Sequence, residues 1–326
     1  MRTLITGVAG FVGRHLAREL AQDEREELNG TDHSRSGDWE PDEALRCHLR
    51  SHRPLDVTIF EQVRGCILEN SPDRIVHLAA QASGAESIKS PAETYRVNAI
   101  GTLNVLEAAR QNAPRAIVLV VGSADVYGSG APGQKIREDT PIRPRNAYAL
   151  SKAAADQLGE LYEESYGLRI VRTRTFSTTG PGQSPLFAIA GWADQLARID
   201  AGLVAAEIKV GNLEGVRDYG DVRDVVRAYR LLLDKGEAGQ AYNVCSGRGR
   251  RIREVLNALI ARSSAKVDVR LDPGRLRPSD VPAQVGDPAR LRQATGWEPR
   301  VPLEQSLADL LEDWRARVAG AADTSA

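Results

Sequence analysis

Apolar and alternating runs, bounded by turn residues, recur along the first half of the chain with amphipathic stretches between them. Arg2 to Thr6, about Glu27 to Thr31, Arg74 to Ala80, Ala116 to Val121 and Leu168 to Phe176 predict strands, and Arg74 to Ala80 has the continuous apolar character of a parallel strand buried on both faces. Helical periodicity covers about Arg14 to Glu24, Thr58 to Asn70, Ala92 to Asn112, and a long run from Asn146 to near Gly167. Ser34 to Arg53 is polar and irregular and reads as loop with little regular structure. Such regular alternation predicts an α/β fold with a doubly wound parallel sheet. Beyond Gly182 the rhythm changes. A helix from about Leu186 to Ala201, the strand Glu207 to Val210 and the turn Gly211-Asn212 suggest a second, smaller lobe. Asp221 to Leu233 reads as a helix and Ala241 to Val244 as a strand returning to the sheet. Helix Ile252 to Arg262, a Pro- and Arg-rich segment and helix Leu303 to Val318 follow. No internal repeat or low-complexity tract is present.

The first strand runs into Gly7-Val8-Ala9-Gly10-Phe11-Val12-Gly13 and then a helix. Strand, glycines and helix in that order make a dinucleotide site of the Rossmann type. Gly7 allows the tight turn, Gly10 lets the backbone approach a pyrophosphate, and Gly13 permits close helix packing. Phe11 and Val12 complete this candidate cofactor turn, with Leu78, Ala79 and Ala80 at the end of the strand through His77. Asp32 follows Gly13 at the distance where a second strand should end. A carboxylate there accepts from the adenosine ribose and repels a 2′-phosphate, so NAD(H) is favoured; His33, Ser34 and Arg35 could hold that phosphate, which leaves NADP(H) open. Asp56 and Val57 are candidates for the adenine edge, with a helix N-cap as the equal alternative for Asp56. His77 reads as a packed, hydrogen-bonded strand residue rather than a metal ligand or base, and no metal site is expected.

The candidate chemistry is Asn146-Ala147-Tyr148-Ala149-Leu150-Ser151-Lys152. Tyr148 and Lys152 stand one helical turn apart on one face. A phenol has a reference pKa near 10, and a neighbouring ammonium stabilises its phenolate, so this pair suits proton exchange with an alcohol or ketone. Ser123 ends the strand Ala116 to Val121 and its following Gly122, where ligands of parallel sheets bind. It could meet a substrate hydroxyl or carbonyl there.

Composition narrows this picture without redirecting it. With 326 residues, 42% hydrophobic, 27% charged and a net charge of −1, nothing predicts nucleic-acid or membrane binding. Only 6 of the 43 basic residues are lysine, and arginine forks suit phosphate recognition. Cys47, Cys66 and Cys245 have no metal or disulfide spacing and read as reduced thiols. With no signal-peptide pattern at Met1, a cytoplasmic protein is expected.

The glycine turn, Asp32, Ser123 and Tyr148/Lys152 together resemble the extended short-chain dehydrogenase/reductase family over nearly the whole chain. Arg217-Asp218-Tyr219, Tyr242 to Gly247, Asp272-Pro273 with Arg277-Pro278-Ser279-Asp280, and Thr295-Gly296-Trp297 with Pro299 resemble its members acting on GDP-linked 6-deoxyhexoses. The GDP-4-keto-6-deoxy-D-mannose reductases come first, and the GDP-mannose 4,6-dehydratases next. The resemblance implies a Rossmann-type domain, 1–176 with 215–245 returning to it, and a nucleotide-sugar-binding C-terminal substrate lobe of 177–214 and 246–318; 319–326 would be a frayed tail. It implies that Lys152 bonds the nicotinamide ribose and lowers the pKa of Tyr148, that Ser123 orients the oxygen at C4, and that Tyr148 protonates it. Asn98 would hold the active-site helix beside the cofactor, or else serve as a cap or turn residue. Arg217, Arg277 and Asp280 would take the diphosphate and guanine, with Arg275 as the alternative phosphate ligand.

Two positions depart from the resemblance. Ser177 replaces a common asparagine at the sugar, and Ala124-Asp125 replaces the acid pair that a dehydratase needs to remove the C5 proton and the C6 hydroxyl. The implied reaction is therefore NAD(P)H-dependent reduction of a GDP-linked 4-keto-6-deoxyhexose to a GDP-6-deoxyhexose of the GDP-D-rhamnose type, with Asp125 beside the catalytic Ser123. A dehydratase or 4-epimerase recycling tightly bound NAD is the alternative, and a nucleotide-sensing regulator the third. A homodimer through the Asn98 and Tyr148 helices is expected.

Overall fold

The computed structural model describes residues 1–33, 43–46, 48–130, 133–276 and 281–323. In chain order the elements are β1 (Arg2–Thr6), α1 (Phe11–Leu20), β2 (Glu27–Asp32), α2 (Glu43–Arg46), β3 (Leu49–Pro54), α3 (Phe60–Asn70), β4 (Arg74–His77), α4 (Gly84–Lys89) and α5 (Pro91–Tyr95). A π-helical turn (Arg96–Ile100) leads into α6 (Gly101–Asn112), then β5 (Ile117–Ser123), a 3-10 turn (Ala124–Tyr127), α7 (Ala147–Tyr166), β6 (Arg169–Thr175), β7 (Ser177–Thr179) and α8 (Ala188–Asp200). There follow β8 (Glu207–Val210), β9 (Val216–Asp221), α9 (Val222–Lys235), β10 (Ala241–Val244), β11 (Gly249–Arg251), α10 (Ile252–Ile260), β12 (Asp268–Leu271), β13 (Ala283–Gln284), α11 (Ala289–Thr295) and α12 (Leu303–Asp323).

Seven strands form one sheet in the order β10-β6-β5-β4-β1-β2-β3, and every neighbouring pair is parallel. This is a Rossmann-type doubly wound sheet, with its order reversing at β1 and β4, where ligands of such sheets bind. Leu16, Leu20, Val225 and Tyr229 of α1 and α9 cover one face. Val63, Ile67, Val105, Leu106 and Tyr162 of α3, α6 and α7 cover the other. A separate core of Trp192, Leu196, Leu256, Leu310 and Trp314 joins α8, α10 and α12. Beside it, β9 pairs with β11, β13 and β7, and β8 with β12, in two small sheets.

Three sequence expectations need correction. Within the expected loop 34–53, residues 43–46 form α2, and 49–54 belong to β3, which runs parallel to β2 at the sheet edge. Its side chains alternate between half-buried and exposed, and polar contacts hold it: Arg50 to Glu27 at 2.8 Å, and Ser51 Oγ to Asn29 Oδ1 at 2.9 Å. Backbone pairing and polar partners replace the apolar face on which periodicity depends. The single helix expected over Ala92 to Asn112 contains the π-helical turn, which puts Asn98 in its middle. The expected frayed tail is helical as far as Asp323, while 324–326 lie outside the described residues. Among the described residues, no helix is long and apolar enough to cross a membrane.

Candidate active site

The glycine turn depends on three steric facts. Gly7 has φ +76°, and a Cβ on it would lie 2.9 Å from the Ala79 nitrogen. A Cβ on Gly13 would lie 2.3 Å from the Gly7 carbonyl oxygen, so α1 can pack this closely only with glycine there. Gly10 caps α1 without a side-chain acceptor, so its first amides have no capping side chain and suit an anion. Leu78 N donates to Thr6 O at 3.1 Å and Ala79 N to Thr6 Oγ1 at 3.3 Å, which ties the β4 end to the turn.

At the end of β2, Asp32 Oδ1 accepts from His33 N at 2.7 Å. Asp32 Oδ2 is buried with no hydrogen-bond partner among the described residues, as is the neighbouring Thr31 Oγ1. An orphaned buried carboxylate oxygen calls for a donor, and a ribose diol supplies two. The turn and this oxygen therefore fit a dinucleotide. Ser34 and Arg35, the sequence candidates for a 2′-phosphate, lie outside the described residues.

Asp56 has a local partner: its Oδ1 accepts from Thr58 N at 2.9 Å and Thr58 Oγ1 at 2.7 Å. That is an Asx turn ahead of α3. Val57 is buried against Gly101, and its carbonyl accepts from Asn104 at 2.9 Å. His77 is buried between Thr6 Oγ1 at 2.8 Å and Thr102 Oγ1 at 3.1 Å, and burial lowers its pKa to about 3, which keeps the ring neutral. Among the described residues no cluster of His, Cys, Asp or Glu could hold a metal.

The catalytic helix α7 starts where Asn146 Oδ1 accepts from Ala149 N at 2.8 Å and stops at Gly167 in the left-handed region. Asn98, in the π-helical turn, anchors it. Its Nδ2 donates to Ser151 Oγ at 2.9 Å and Gln81 O at 3.0 Å, while its Oδ1 accepts from Gln81 N at 2.8 Å. Ser151 Oγ in turn donates to Tyr148 O at 2.8 Å.

Tyr148, Ser123 and Asp125 meet above the end of β5. Ser123 Oγ accepts from Asp125 N at 3.2 Å, and its hydroxyl acts to lower the pKa of the Tyr148 phenol. The resemblance implied a phenol pulled down by Lys152. The protein itself does the reverse: burial first, then the Asp125 carboxylate, push the Tyr148 pKa up, and the Ser123 bond opposes them only in part. The reason is where the Lys152 amine goes. It donates to Val121 O at 2.9 Å, and burial lowers its own pKa to about 8. Tyr148 is thus held protonated, the state of a general acid.

Ser177 opens β7 beside Tyr219. Arg217 lies in β9, half-buried, with Nη1 on Val216 O at 2.9 Å. Arg275 is exposed and pairs with Asp272 at 3.3 Å. Arg277 and Asp280 lie outside the described residues.

Three residues escaped the sequence reading. Asp218 is buried and accepts from Ser246 N and Gly247 N, each at 2.9 Å, from Ser246 Oγ at 2.6 Å and from Gly286 N at 3.2 Å, knotting three loops together. Asp156 bonds two buried arginines. Gln284 reaches the turn after Ser123. Asp218 stands in the Arg217-Asp218-Tyr219 motif, with no role of its own read there, and Asp156 carried a signal because it continues the Tyr148-Lys152 spacing by one more turn.

The sequence model of the family described as GDP-mannose 4,6 dehydratase matches residues 4–310. The chain is 37% identical over 318 residues to the GDP-6-deoxy-D-mannose reductase of Pseudomonas aeruginosa, spanning 97% of this chain and 98% of that one. The structure of RMD from Pseudomonas aeruginosa complexed with NADPH has a TM-score of 0.83 at 35% identity, covering 97% of this chain and 99% of that one. The UDP-glucose 4-epimerase of Thermus thermophilus, in complex with NAD, has a TM-score of 0.85 at 32% identity, covering 97% and 99%.

Proposed function

We propose that this chain, which belongs to the GDP-mannose 4,6-dehydratase family of extended short-chain dehydrogenases/reductases, reduces the C4 ketone of GDP-4-keto-6-deoxy-D-mannose to a GDP-6-deoxyhexose. The observation that carries this reading is a Tyr148 phenol on α7, one turn before Lys152, kept protonated by burial and by Asp125. A ketone reductase needs a proton donor at that point, whereas oxidation of an alcohol needs a base. The reduced nicotinamide, when bound, supplies the hydride. Ser123 orients the C4 oxygen, and Tyr148 transfers its proton to that oxygen as the alcohol forms. Lys152, one turn along α7 with its amine on Val121 O, bonds the nicotinamide ribose. Ala124 has neither a hydroxyl nor an acid for the C6 oxygen, which supports reduction over dehydration.

Residues 1–176 with 215–245 hold the cofactor, through Gly7, Gly10, Phe11, Val12, Gly13 and Asp32. Residues 177–214 and 246–318 hold the nucleotide sugar, with Ser177, Arg277 and Asp280 as its contacts, joined by Arg217 of β9. The enzyme works in the cytoplasm, where its buried unpaired thiols Cys66 and Cys245 stay reduced. It forms a homodimer through α5, α6 and α7, which leave Tyr95, Ile100, Leu150, Leu161 and Tyr166 exposed; a monomer mass by light scattering at micromolar concentration would refute that assembly.

Mixing protein, keto-sugar and NADH or NADPH is expected to oxidise the cofactor in proportion to product. No oxidation with either cofactor overturns the reading. Turnover of GDP-mannose or a UDP-hexose with NAD retained through purification favours the dehydratase or epimerase instead, a reading kept in view by the likeness to the NAD-bound epimerase.

NADH is the preferred donor, because the orphaned Asp32 oxygen accepts from a ribose and repels a 2′-phosphate. Asp32→Asn is expected to lower kcat/KM for NADH by about 10-fold and raise it for NADPH, since hydrogen bonds to a charged group are worth roughly 1.5–3 kcal/mol. An unchanged NADH-to-NADPH ratio would remove Asp32 from the ribose.

A further inference from the structure

Gln284 is a polar side chain only 3% exposed, in a strand two residues long. Its Nε2 lies 3.0 Å from Ala124 O, 3.3 Å from Gly128 O and 3.4 Å from Asp125 Oδ1. Three acceptors thus surround one carboxamide nitrogen that has two hydrogens. The two carbonyls bracket the turn that carries Asp125, and the carboxylate contact is the longest and weakest of the three.

The backbone continues the link. Gly130 N donates to Ala283 O at 3.2 Å and Ile136 N to Val285 O at 2.8 Å, so β13 lies along the segment following the turn. On its other side β13 is in parallel register with β9, Gln284 opposite Arg217. Among the described residues, the charged group within reach of the carboxamide is Asp125 in the turn, and the charged residue facing Gln284 in the register of β9 is Arg217. Asp218 also lies on β9 but spends its oxygens on Ser246, Gly247 and Gly286. Tyr127, the last residue of the turn, is committed to Asn243 and Arg174.

An apolar side chain would fill this space without the need for three acceptors. A buried amide that satisfies a specific set of carbonyls instead fixes their positions. Ser123 Oγ and Asp125 N are bonded to each other, so a shift of the turn moves both the hydroxyl and the carboxylate that act on the phenol of Tyr148. We propose that Gln284 is a positioning residue: its carboxamide holds the turn from Ala124 to Gly128 so that Ser123 and Asp125 keep their places beside Tyr148, and it couples the strand pair bearing Arg217 to the proton donor. The proposal rests on the reductase reading for its substrate, and on the geometry alone for its residue.

The test compares the full-length protein with Gln284→Met and Gln284→Glu. Gln284→Met removes the donor at similar volume. It is expected to lower kcat by about 10-fold, the scale of one lost hydrogen bond at the reacting group, while KM for the sugar changes by less than about 3-fold. Gln284→Glu keeps the shape, but ionised it faces two carbonyls and a carboxylate; protonated, it regains a donor. Its kcat is expected to rise as pH falls below neutrality, an acid limb absent from the parent and from Gln284→Met, whose kcat is level there. A residue that only stabilised the fold would lower the melting temperature and the active fraction without adding that limb. If Gln284→Met fails to fold, Gln284→Glu carries the test alone. Parental kcat and an unaltered pH profile in Gln284→Glu overturn the proposal. The two readings fail separately. A parent that does not oxidise NAD(P)H with the keto-sugar sinks the reductase reading, and the same variants are then compared on the GDP-mannose or UDP-hexose reaction that the parent does perform.

Discussion

Tyr148→Phe is expected to lower kcat for keto-sugar reduction by ~10²- to 10⁴-fold, the range attributed to a positioned general acid. Affinity for the reduced cofactor and the thermal midpoint should stay near the parent values, because the turn of helix that carries Tyr148 is held by Asn98 through Ser151 and the Tyr148 carbonyl, not through the phenol. The pH profile adds a second expectation. Burial and Asp125 hold the phenol protonated well above neutrality, so its own ionisation does not limit the reaction near pH 7. Burial lowers the Lys152 pKa to about 8, so the ammonium available to the nicotinamide ribose is present below that pH and lost above it. The kcat of the parent is therefore expected to be level on the acid side and to decline above about pH 8. A Tyr148→Phe protein with parental kcat would remove Tyr148 from the chemistry, whatever the pH profile.

Asp156→Ala is expected to be the most damaging single substitution for stability, costing about 3–5 kcal/mol, the range for breaking a buried ion pair by removing one partner. Asp156 is 1% exposed and lies on α7 one turn beyond Lys152. Its Oδ2 receives Arg172 at 3.1 Å and Arg174 at 2.8 Å, and its Oδ1 receives Arg174 Nε at 3.1 Å. Both arginines come from β6 and are nearly as buried. Arg174 also donates to Tyr127 Oη at 3.0 Å, and Tyr127 to Asn243 Oδ1 at 2.8 Å, so the network runs from the catalytic helix through β6 to the turn after Ser123 and to β10. Without the carboxylate, two guanidinium groups share an interior where the remaining acceptors are neutral apart from Glu160, itself half-exposed, 3.2 Å from Arg172. Denaturant unfolding with and without the substitution measures the effect. A loss below about 1 kcal/mol would mean that water or Glu160 takes over both arginines, in which case α7 is anchored mainly by Asn98.

What was legible in the sequence is what short-range geometry encodes. Tyr148 and Lys152 share a face because the helix repeats near that spacing, and Asn146 and Gly167 mark its two ends. The glycines of the first turn are demanded by contacts within the turn and with the neighbouring strand end, so their pattern exposes the cofactor site. The central strands show themselves because burial on both faces forces apolar runs. The edge strand β3 does not, because it meets its neighbour through backbone pairing, Arg50 and Ser51 rather than an apolar face.

Only the tertiary structure decided which group each functional side chain meets. Lys152 turns its amine to Val121, 31 residues away, and so leaves the phenol to burial and Asp125. Asn98 reaches Ser151 across 53 residues, and Gln284 reaches Ala124 across 160. No period or turn preference spans such separations: a side chain and its backbone acceptor leave no shared pattern along the chain, and it is the packing of β13 against the turn, and of α7 against β5, that makes them neighbours. The sequence by itself determined that a tyrosine and a lysine would stand together on a helix after a dinucleotide turn. Folding determined that the tyrosine keeps its proton, because desolvation and a nearby carboxylate are properties of the surroundings and not of the motif.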